Sequence, residues 1–187
     1  MRTLMIALLA FLPSTASAQM VFQNYTSPPA TIEELATKVS GVVYGRVEAI
    51  GPPRVEAGSV RRTVTIGVIQ MPKVPGGGTA PARIDVDQFG GTVRTAEHDV
   101  RQDYAGQPVR LGEEVIVFFS GATRGRNPVI AYGPAGLMRV GTDRVVRLAR
   151  GVRVAAAIDA QSAPLDVVLS AVERSTVEGT AQQGGGK

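Results

Sequence analysis

The residues best suited to chemistry in this chain are arginines, whose planar guanidinium groups bind carboxylates, sulfates and phosphates. Seventeen of the 20 basic residues are arginine, and Arg144, Arg147, Arg150 and Arg153 recur at every third position. Residues three apart alternate between the two faces of a strand, and they spread over about half the circumference of an α-helix. The run is therefore not one anion-binding stripe, and the favoured interpretation is four solvated side chains on the outside of a barrel.

A second grouping of arginines is more promising as a binding site. Residues 124–153 contain seven arginines and a single acidic residue, Asp143. If the 120–127 loop meets the last hairpin, four arginines gather at one rim of the fold. These candidate ligand-binding residues, which we call the arginine rim, are Arg124, Arg126, Arg139 and Arg144. An anionic glycan or another envelope component is the expected partner. Nucleic acid is not expected, because the chain lacks interleaved aromatic side chains that would stack on bases.

Catalysis has weaker support in the sequence. The one histidine, His98, has Glu97, Asp99 and Asp103 close to it. A zinc site needs three or four converging ligands, and neither a cysteine nor a second histidine is present. No G-x-S-x-G nucleophile motif accompanies the histidine. We therefore predict a non-enzymatic protein without a metal or cofactor, and keep an enzyme with a site around His98 as the least favoured alternative.

The N-terminus has the pattern of a secretory signal. Arg2 precedes an apolar run at 4–12, and Ala16-Ser17-Ala18 forms an A-x-A cleavage site. Cleavage after Ala18 removes Arg2 and lowers the formal net charge from +4 to +3. We expect a monomeric periplasmic or secreted protein with no transmembrane segment. Because the chain contains no cysteine, we also expect no disulfide.

Two helices are predicted at the ends of the globular part. Thr31 and Glu34 match a capping box and predict a short helix that ends near Lys38. Residues 162–179 place apolar side chains at i, i+3, i+4 and i+7, which predicts an amphipathic helix with Ser162 as its N-cap. We expect this second helix to pack on the rest of the fold.

Between the helices the hydrophobic period changes to two, which predicts short strands. Seven are expected, at 42–50, 61–71, 83–89, 114–119, 128–133, 136–140 and 144–148. In the third, Asp85 and Asp87 are expected to point outward, where they could assist a hard cation, although no calcium-binding loop accompanies them. Residues 72–82 read as a solvent loop, and residues 90–108 as a polar excursion with a short strand and a turn of helix. The pattern predicts a mainly β fold, a barrel or sandwich.

Four pieces of sequence occur in a recognisable order. They are TIEELATKVSGVVYGRVEAI, TVTIGVIQMPKV, IDVDQFGG and VRLGEEVIVFFSG with AYGPAGLMRV. The order resembles that of secreted bacterial proteins of unknown function with an OB-fold-like layout, in the netrin-like branch that includes the tissue inhibitors of metalloproteinases. The resemblance covers about residues 31–148 and implies a small OB-like Greek-key barrel. The animal inhibitors act through an N-terminal cysteine, which this sequence lacks, so no inhibitory residue carries over.

These observations predict five segments along the chain. They are a signal peptide at 1–18, an extended N-terminal arm at 19–30, an OB-like barrel at 31–150, a linker and helix at 151–179, and a disordered tail at 180–187. The predicted function is an exported binding module that holds an anionic ligand at the arginine rim. The alternative is a protein-interaction or inhibitor-like module that uses the N-terminal arm.

Overall fold

The computed structural model describes most of the chain. The described residues are 19–20, 29–96, 98–104, 107–121, 125–149, 151–155 and 161–183, with no side-chain description at 19–20 and 178–183. The predicted signal peptide, residues 21–28 of the arm, Arg124 and Arg150 lie outside the described residues.

The described part is mainly β, as the sequence predicts. Its helices are α1 (Ile32–Lys38) and α2 (Leu165–Gln183). Its strands, in chain order, are β1 (Gln19–Met20), β2 (Gly41–Ile50), β3 (Arg54–Glu56), β4 (Ser59–Lys73), β5 (Arg83–Phe89), β6 (Gly91–Arg94), β7 (Asp99–Gln102), β8 (Glu114–Ser120), β9 (Val129–Ile130), β10 (Leu137–Val140), β11 (Val145–Arg147) and β12 (Ser162–Pro164). Neither described helix is long and apolar enough to cross a membrane.

Five strands form a closed ring of pairings. Strand β4 pairs antiparallel with both β2 and β5, and β5 pairs parallel with β9. Strand β9 then pairs antiparallel with β8, which returns antiparallel to β2. Five is the number of strands in an OB barrel, and the ring agrees with the predicted small, barrel-like fold. Beyond β8 the sheet continues through β10, β11 and β12.

Two hydrophobic cores lie on opposite faces of β2 and β8. The core inside the ring includes Val43, Val47, Val64, Ile66, Val86, Val115, Val117, Phe119 and Ile130. The core on the other face joins the strands to the helices and includes Ile32, Leu35, Val42, Ile116, Phe118, Met138, Leu165, Val168 and Val172. Because β8 is buried on both faces, its sequence is apolar at consecutive positions, as expected for a covered strand.

The predicted start is confirmed for α1 but not for α2. Helix α1 starts as predicted, because the Glu34 N–H donates to Thr31 Oγ1 at 3.2 Å, and the Glu34 carboxylate accepts from the Ala30 N–H at 3.2 Å. The predicted start of the second helix was wrong. Ser162 belongs to β12, which pairs with β11, so α2 begins only at Leu165. The pairing with a distant strand overrides the local capping signal.

Two further segments differ from the prediction. Residues 90–108 contain no turn of helix among their described residues; they hold the antiparallel pair β6 and β7, with β1 lying parallel to β7. Strand β3 was missed altogether. It turns into β4 through Ala57 and Gly58, which have φ angles of 48° and 75°. Two consecutive positive φ angles are typical of a tight type I′ hairpin.

Candidate anion-binding face

The outer side of β4 and β5 carries a buried carboxylate. Asp87 lies opposite Thr63 in the β4–β5 register and was expected to be solvated. That expectation was wrong, because the Asp87 side chain is only 3% exposed. Arg54 from β3 and Asn127 from the segment before β9 both contact it and separate it from water.

Hydrogen bonds hold this carboxylate and its neighbours in one arrangement. Arg54 donates from Nη2 to Asp87 Oδ2 at 2.6 Å and from Nη1 to Thr63 Oγ1 at 2.9 Å. The Thr63 hydroxyl donates in turn to Asp87 Oδ1 at 3.0 Å, and Asn127 Nδ2 lies 3.3 Å from the same oxygen. The hydrogen bond to Asp87 raises the pKa of Arg54 above its usual value. The guanidinium of Arg54 is therefore charged, and its hydrogen bonds to Asp87 and Thr63 hold it in position.

Three arginines converge on Glu56 above this buried group. The Glu56 carboxylate lies 3.3 Å from Arg54 Nε, 3.7 Å from Arg126 Nε and 4.0 Å from Arg61 Nη1. We call Arg54, Arg61 and Arg126 the arginine face. The three guanidinium groups outnumber the two carboxylates, Glu56 and Asp87, so the cluster carries a net positive charge.

The exposure of the three arginines differs. The Arg126 side chain is 62% exposed, that of Arg54 is 40% exposed and that of Arg61 is 15% exposed. The Arg61 guanidinium lies 4.8 Å from the centre of the Phe89 ring, which is a cation–π contact. Its Nε is buried and has no hydrogen-bond partner among the described residues. The face thus combines one largely exposed arginine, Arg126, with two that are held against the sheet.

The described members of the arginine rim do not come together at one place. Arg126 belongs to the arginine face, whereas Arg139 contacts Glu113 at 3.3 Å and the carbonyl groups of Gln107 and Pro108 at 3.1 and 3.0 Å. The remaining member, Arg124, lies outside the described residues.

Strand β8 separates these two sites. Arg139 pairs with Val115 at the start of β8, and the segment that carries Arg126 follows Ser120 at its end. Five residues of extended strand span roughly 17 Å. Arg144 is at a third place, in the turn after β10 with a φ of 59°, where its charge acts on Tyr44 and Glu114. Whether any of these residues binds a ligand stays a prediction.

Arg54 and Arg61 were not predicted from the sequence as partners of Arg126. The signal lay in the segment RVEAGSVR, where an arginine and a glutamate precede a tight turn and a second arginine follows it. In a hairpin centred on Ala57 and Gly58, Arg54 and Arg61 lie directly opposite each other, as the register shows. Recognition of the turn would have placed both on one edge of the sheet.

Glu114 forms a separate polar cluster on the other side of the ring. The Tyr44 hydroxyl donates to Glu114 Oε2 at 2.6 Å, and Arg46 Nη2 donates to Glu114 Oε1 at 2.9 Å. These hydrogen bonds, with that of Tyr44 the larger, lower the pKa of Glu114, while burial and the same contact raise the pKa of Tyr44. Both oxygens of the carboxylate are already paired, so this cluster stabilises the β2–β8 pairing.

His98 lies in a turn before β7, and its neighbour Glu97 lies outside the described residues. The His98 backbone closes a turn with Thr95, through its N–H at 3.1 Å and its carbonyl group. No group of three or more His, Cys, Asp or Glu side chains suited to a metal ion occurs among the described residues. Asp85 accepts from Thr65 while Asp87 is paired with Arg54, so the two aspartates have separate partners.

No protein-family model and no curated protein sequence matches this chain. The fold and the face together define a mainly β, barrel-like protein in which three arginines, from β3, β4 and the segment before β9, converge on one glutamate.

Proposed function

We propose that this protein is an exported, non-enzymatic binding module and that its ligand is an acidic glycan held at the arginine face. The observation that carries the proposal is the convergence of Arg54, Arg61 and Arg126 on Glu56 at 3.3 to 4.0 Å. Export rests on the signal-like N-terminus, and the absence of catalysis rests on the lack of a recognisable constellation of catalytic residues in the sequence.

The charge and geometry of the face favour a sulfated or carboxylated ligand. Arg126 contacts Glu56 through Nε, and its two terminal amino groups have no hydrogen bond to another described residue, so they can form a bidentate pair with an oxyanion. Arg54 is already oriented by Asp87, so less side-chain entropy is lost when a ligand binds. An extended acidic chain would satisfy several guanidinium groups at once.

The position of the face agrees with the resemblance to OB barrels. These barrels bind oligonucleotides and oligosaccharides over their second and third strands, between the loop that joins strands one and two and the loop that joins strands four and five. In the five-stranded ring, β4 and β5 are the second and third strands in chain order. The connection between β2 and β4, which contains β3, supplies Arg54, and the connection between β8 and β9 supplies Arg126. The chain offers few aromatic side chains for base stacking, which favours a glycan over a nucleic acid.

The test is retention on immobilised heparin, with the chain beginning at Gln19. The parent and Arg126→Ser are eluted with a salt gradient, and Arg147→Ser is the matched control because Arg147 is an exposed arginine on β11 outside the face. We expect the parent to elute above physiological salt and Arg126→Ser to elute earlier. The dependence of log affinity on log salt should lose about one unit of slope, because one fewer counterion is released.

The control decides how the shift is interpreted. Arg147→Ser should elute with the parent. Equal shifts for the two variants would mean that heparin responds only to net charge, and elution of the parent near physiological salt would remove the basis for an acidic ligand. Either result contradicts the proposal.

The second candidate function is a protein-interaction module that uses the N-terminal arm. The observation in its favour is that the start of the arm forms β1, which pairs with β7 through Gln19 and Val100. Deletion of 19–28 would test it and would spare Ala30, whose carbonyl accepts from the Arg153 N–H at 3.0 Å. Loss of a captured envelope protein with unchanged heparin elution would favour this function over the first.

A further inference from the structure

Another arginine, Arg62, lies inside the ring of strands and is not part of the arginine face. It follows Val60 and precedes Val64 on the inner side of β4, and it is only 9% exposed. Its guanidinium donates from Nε and Nη2 to Gln88 Oε1 at 3.0 and 2.6 Å, and from Nη2 to the Val109 carbonyl group at 3.3 Å. The centre of the Tyr104 ring lies 4.7 Å from Cζ of Arg62. Every acceptor of this buried cation is a neutral group.

The positive charge of Arg62 has no counter-ion among the described residues. No carboxylate there forms an ion pair with it, whereas the arginines on the outer face all contact one. Burial lowers the pKa of Arg62, and among the described residues Tyr104 is the ionisable neighbour whose charge acts on it. A buried cation without a partner is strongly unfavourable, so such a group points to an anion that binds beside it.

Gln88 supplies unused donors at the same place. It lies directly opposite Arg62 in the β4–β5 register and is 2% exposed. Its Oε1 accepts both hydrogen bonds from Arg62, which directs Nε2 away from the guanidinium. Nε2 is buried and has no partner among the described residues. A buried amide group without an acceptor is rare, because its desolvation is not compensated.

We propose that Arg62 and Gln88 form a second site, separate from the arginine face, that binds the carboxylate group of a small ligand. A carboxylate is planar, brings the missing negative charge, and offers two oxygens, one for Nη1 of Arg62 and one for Nε2 of Gln88. Tyr104, which is only partly buried, borders the site on its solvent side. Arg61 and Arg62 are neighbours in sequence, so their side chains leave β4 on opposite faces and the two sites do not overlap.

Nuclear magnetic resonance tests this site directly. The ¹⁵N-labelled chain from Gln19 onward is titrated with sodium acetate, exchanged against sodium chloride so that ionic strength stays constant. We expect saturating shifts of the Arg62 Nε–H and of the Gln88 side-chain NH₂ resonances. Titration with inorganic phosphate is the second arm, and tighter binding of phosphate at the same resonances would overturn the assignment to carboxylates. Absence of saturation by acetate in the millimolar range would overturn the site itself.

A charge-supplying variant gives the sharpest control. Gln88→Glu places a carboxylate beside Arg62 within the chain, so acetate binding should weaken about tenfold or more, and the unfolding midpoint without acetate should rise. If Gln88→Glu binds acetate as the parent does, the proposal is wrong. Gln88→Met, which removes the Nε2 donors without adding charge, should also weaken acetate binding and provides the same test if the first variant does not fold. Arg126→Ser should bind acetate at Arg62 unchanged, which separates this site from the arginine face.

Discussion

Arg54 and Asp87 form an ion pair that crosses from the surface into the sheet. Arg54 Nη2 lies 2.6 Å from Asp87 Oδ2, yet the arginine side chain is 40% exposed and the aspartate only 3%. The pair connects the β3–β4 hairpin to β5, and Asn127 attaches the segment before β9 to the same carboxylate. The proposed ligand of the arginine face would therefore meet an arginine that is positioned by a buried group.

Removal of the buried carboxylate should destabilise the protein. In Asp87→Ala, Arg54, Thr63 and Asn127 all lose an acceptor, and hydrogen bonds to charged groups contribute about 1.5–3 kcal/mol. Because Arg54 is partly solvated, we expect the free energy of unfolding to fall by about 2 kcal/mol rather than by the larger amount of a fully buried pair. Urea denaturation followed by circular dichroism measures it. Asp85→Ala, at an exposed position two residues earlier, should cost less than about 0.5 kcal/mol, and equal losses would refute the structural role of Asp87.

Protonation of Glu114 should account for part of the loss of folding stability in acid. Its pKa is lowered in the folded state, chiefly by the hydrogen bond from Tyr44 and then by that from Arg46. A depressed folded-state pKa contributes stability above the unfolded value of about 4.3, and this contribution is lost as the pH falls through the folded value. Urea midpoints between about pH 7 and pH 3 should show a shallower acid decline in Glu114→Gln than in the parent. Tyr44→Phe should have an intermediate effect. If the urea midpoint of Glu114→Gln falls in acid as steeply as that of the parent, Glu114 does not contribute to the acid dependence.

Gly90 should not tolerate a side chain. Its φ of +118° is one that other residues rarely adopt, and an added Cβ would lie 2.5 Å from Tyr104 Cα, which is backbone and cannot easily move. We expect Gly90→Ala to lower the free energy of unfolding by at least about 2 kcal/mol. Gly58→Ala is the control, since Gly58 also has a positive φ but nothing lies within 4 Å of its added Cβ. The control should cost only about 1–2 kcal/mol, and a loss as large as that of Gly90→Ala would exclude the steric explanation.

The stability of the core between the strands and the helices should depend on the volume of the α1 side chains that pack in it. Leu35 is fully buried there, in the same apolar cluster as residues of α2. Leu35→Ala removes apolar contacts and leaves a cavity, so chemical denaturation should show a loss of about 2–5 kcal/mol. Thr37→Ala, at an exposed position of the same helix, should change stability by less than about 0.5 kcal/mol. A similar small effect at Leu35 would mean that α1 is not part of the cooperative core.

Much of the fold was predictable from local pattern. Alternation of apolar and polar residues marked β2, β4 and β5, because the pleat of a strand has a period of two. A continuous apolar run marked β8, which is covered on both faces. The start of α1 was predictable for a similar reason, since the contacts of Thr31 and Glu34 lie within a few residues of each other. Strand β12 was not predictable in this way, because its three residues become extended through their pairing with β11 and carry no local strand pattern.

The sequence alone determined that the chain is mainly β, where its apolar strands and α1 lie, and that its cationic groups are nearly all arginine. The tertiary structure decided which arginines act together. Arg126 joins Arg54 and Arg61 because the parallel pairing of β5 with β9 places residues 126–128 beside the β3–β4 hairpin. The structure likewise buried Asp87 under Arg54 and placed Arg62 inside the ring with no counter-ion among the residues that it describes. Spacing along a chain describes neighbours within a strand or helix, whereas charge compensation depends on distances between strands that are far apart in sequence.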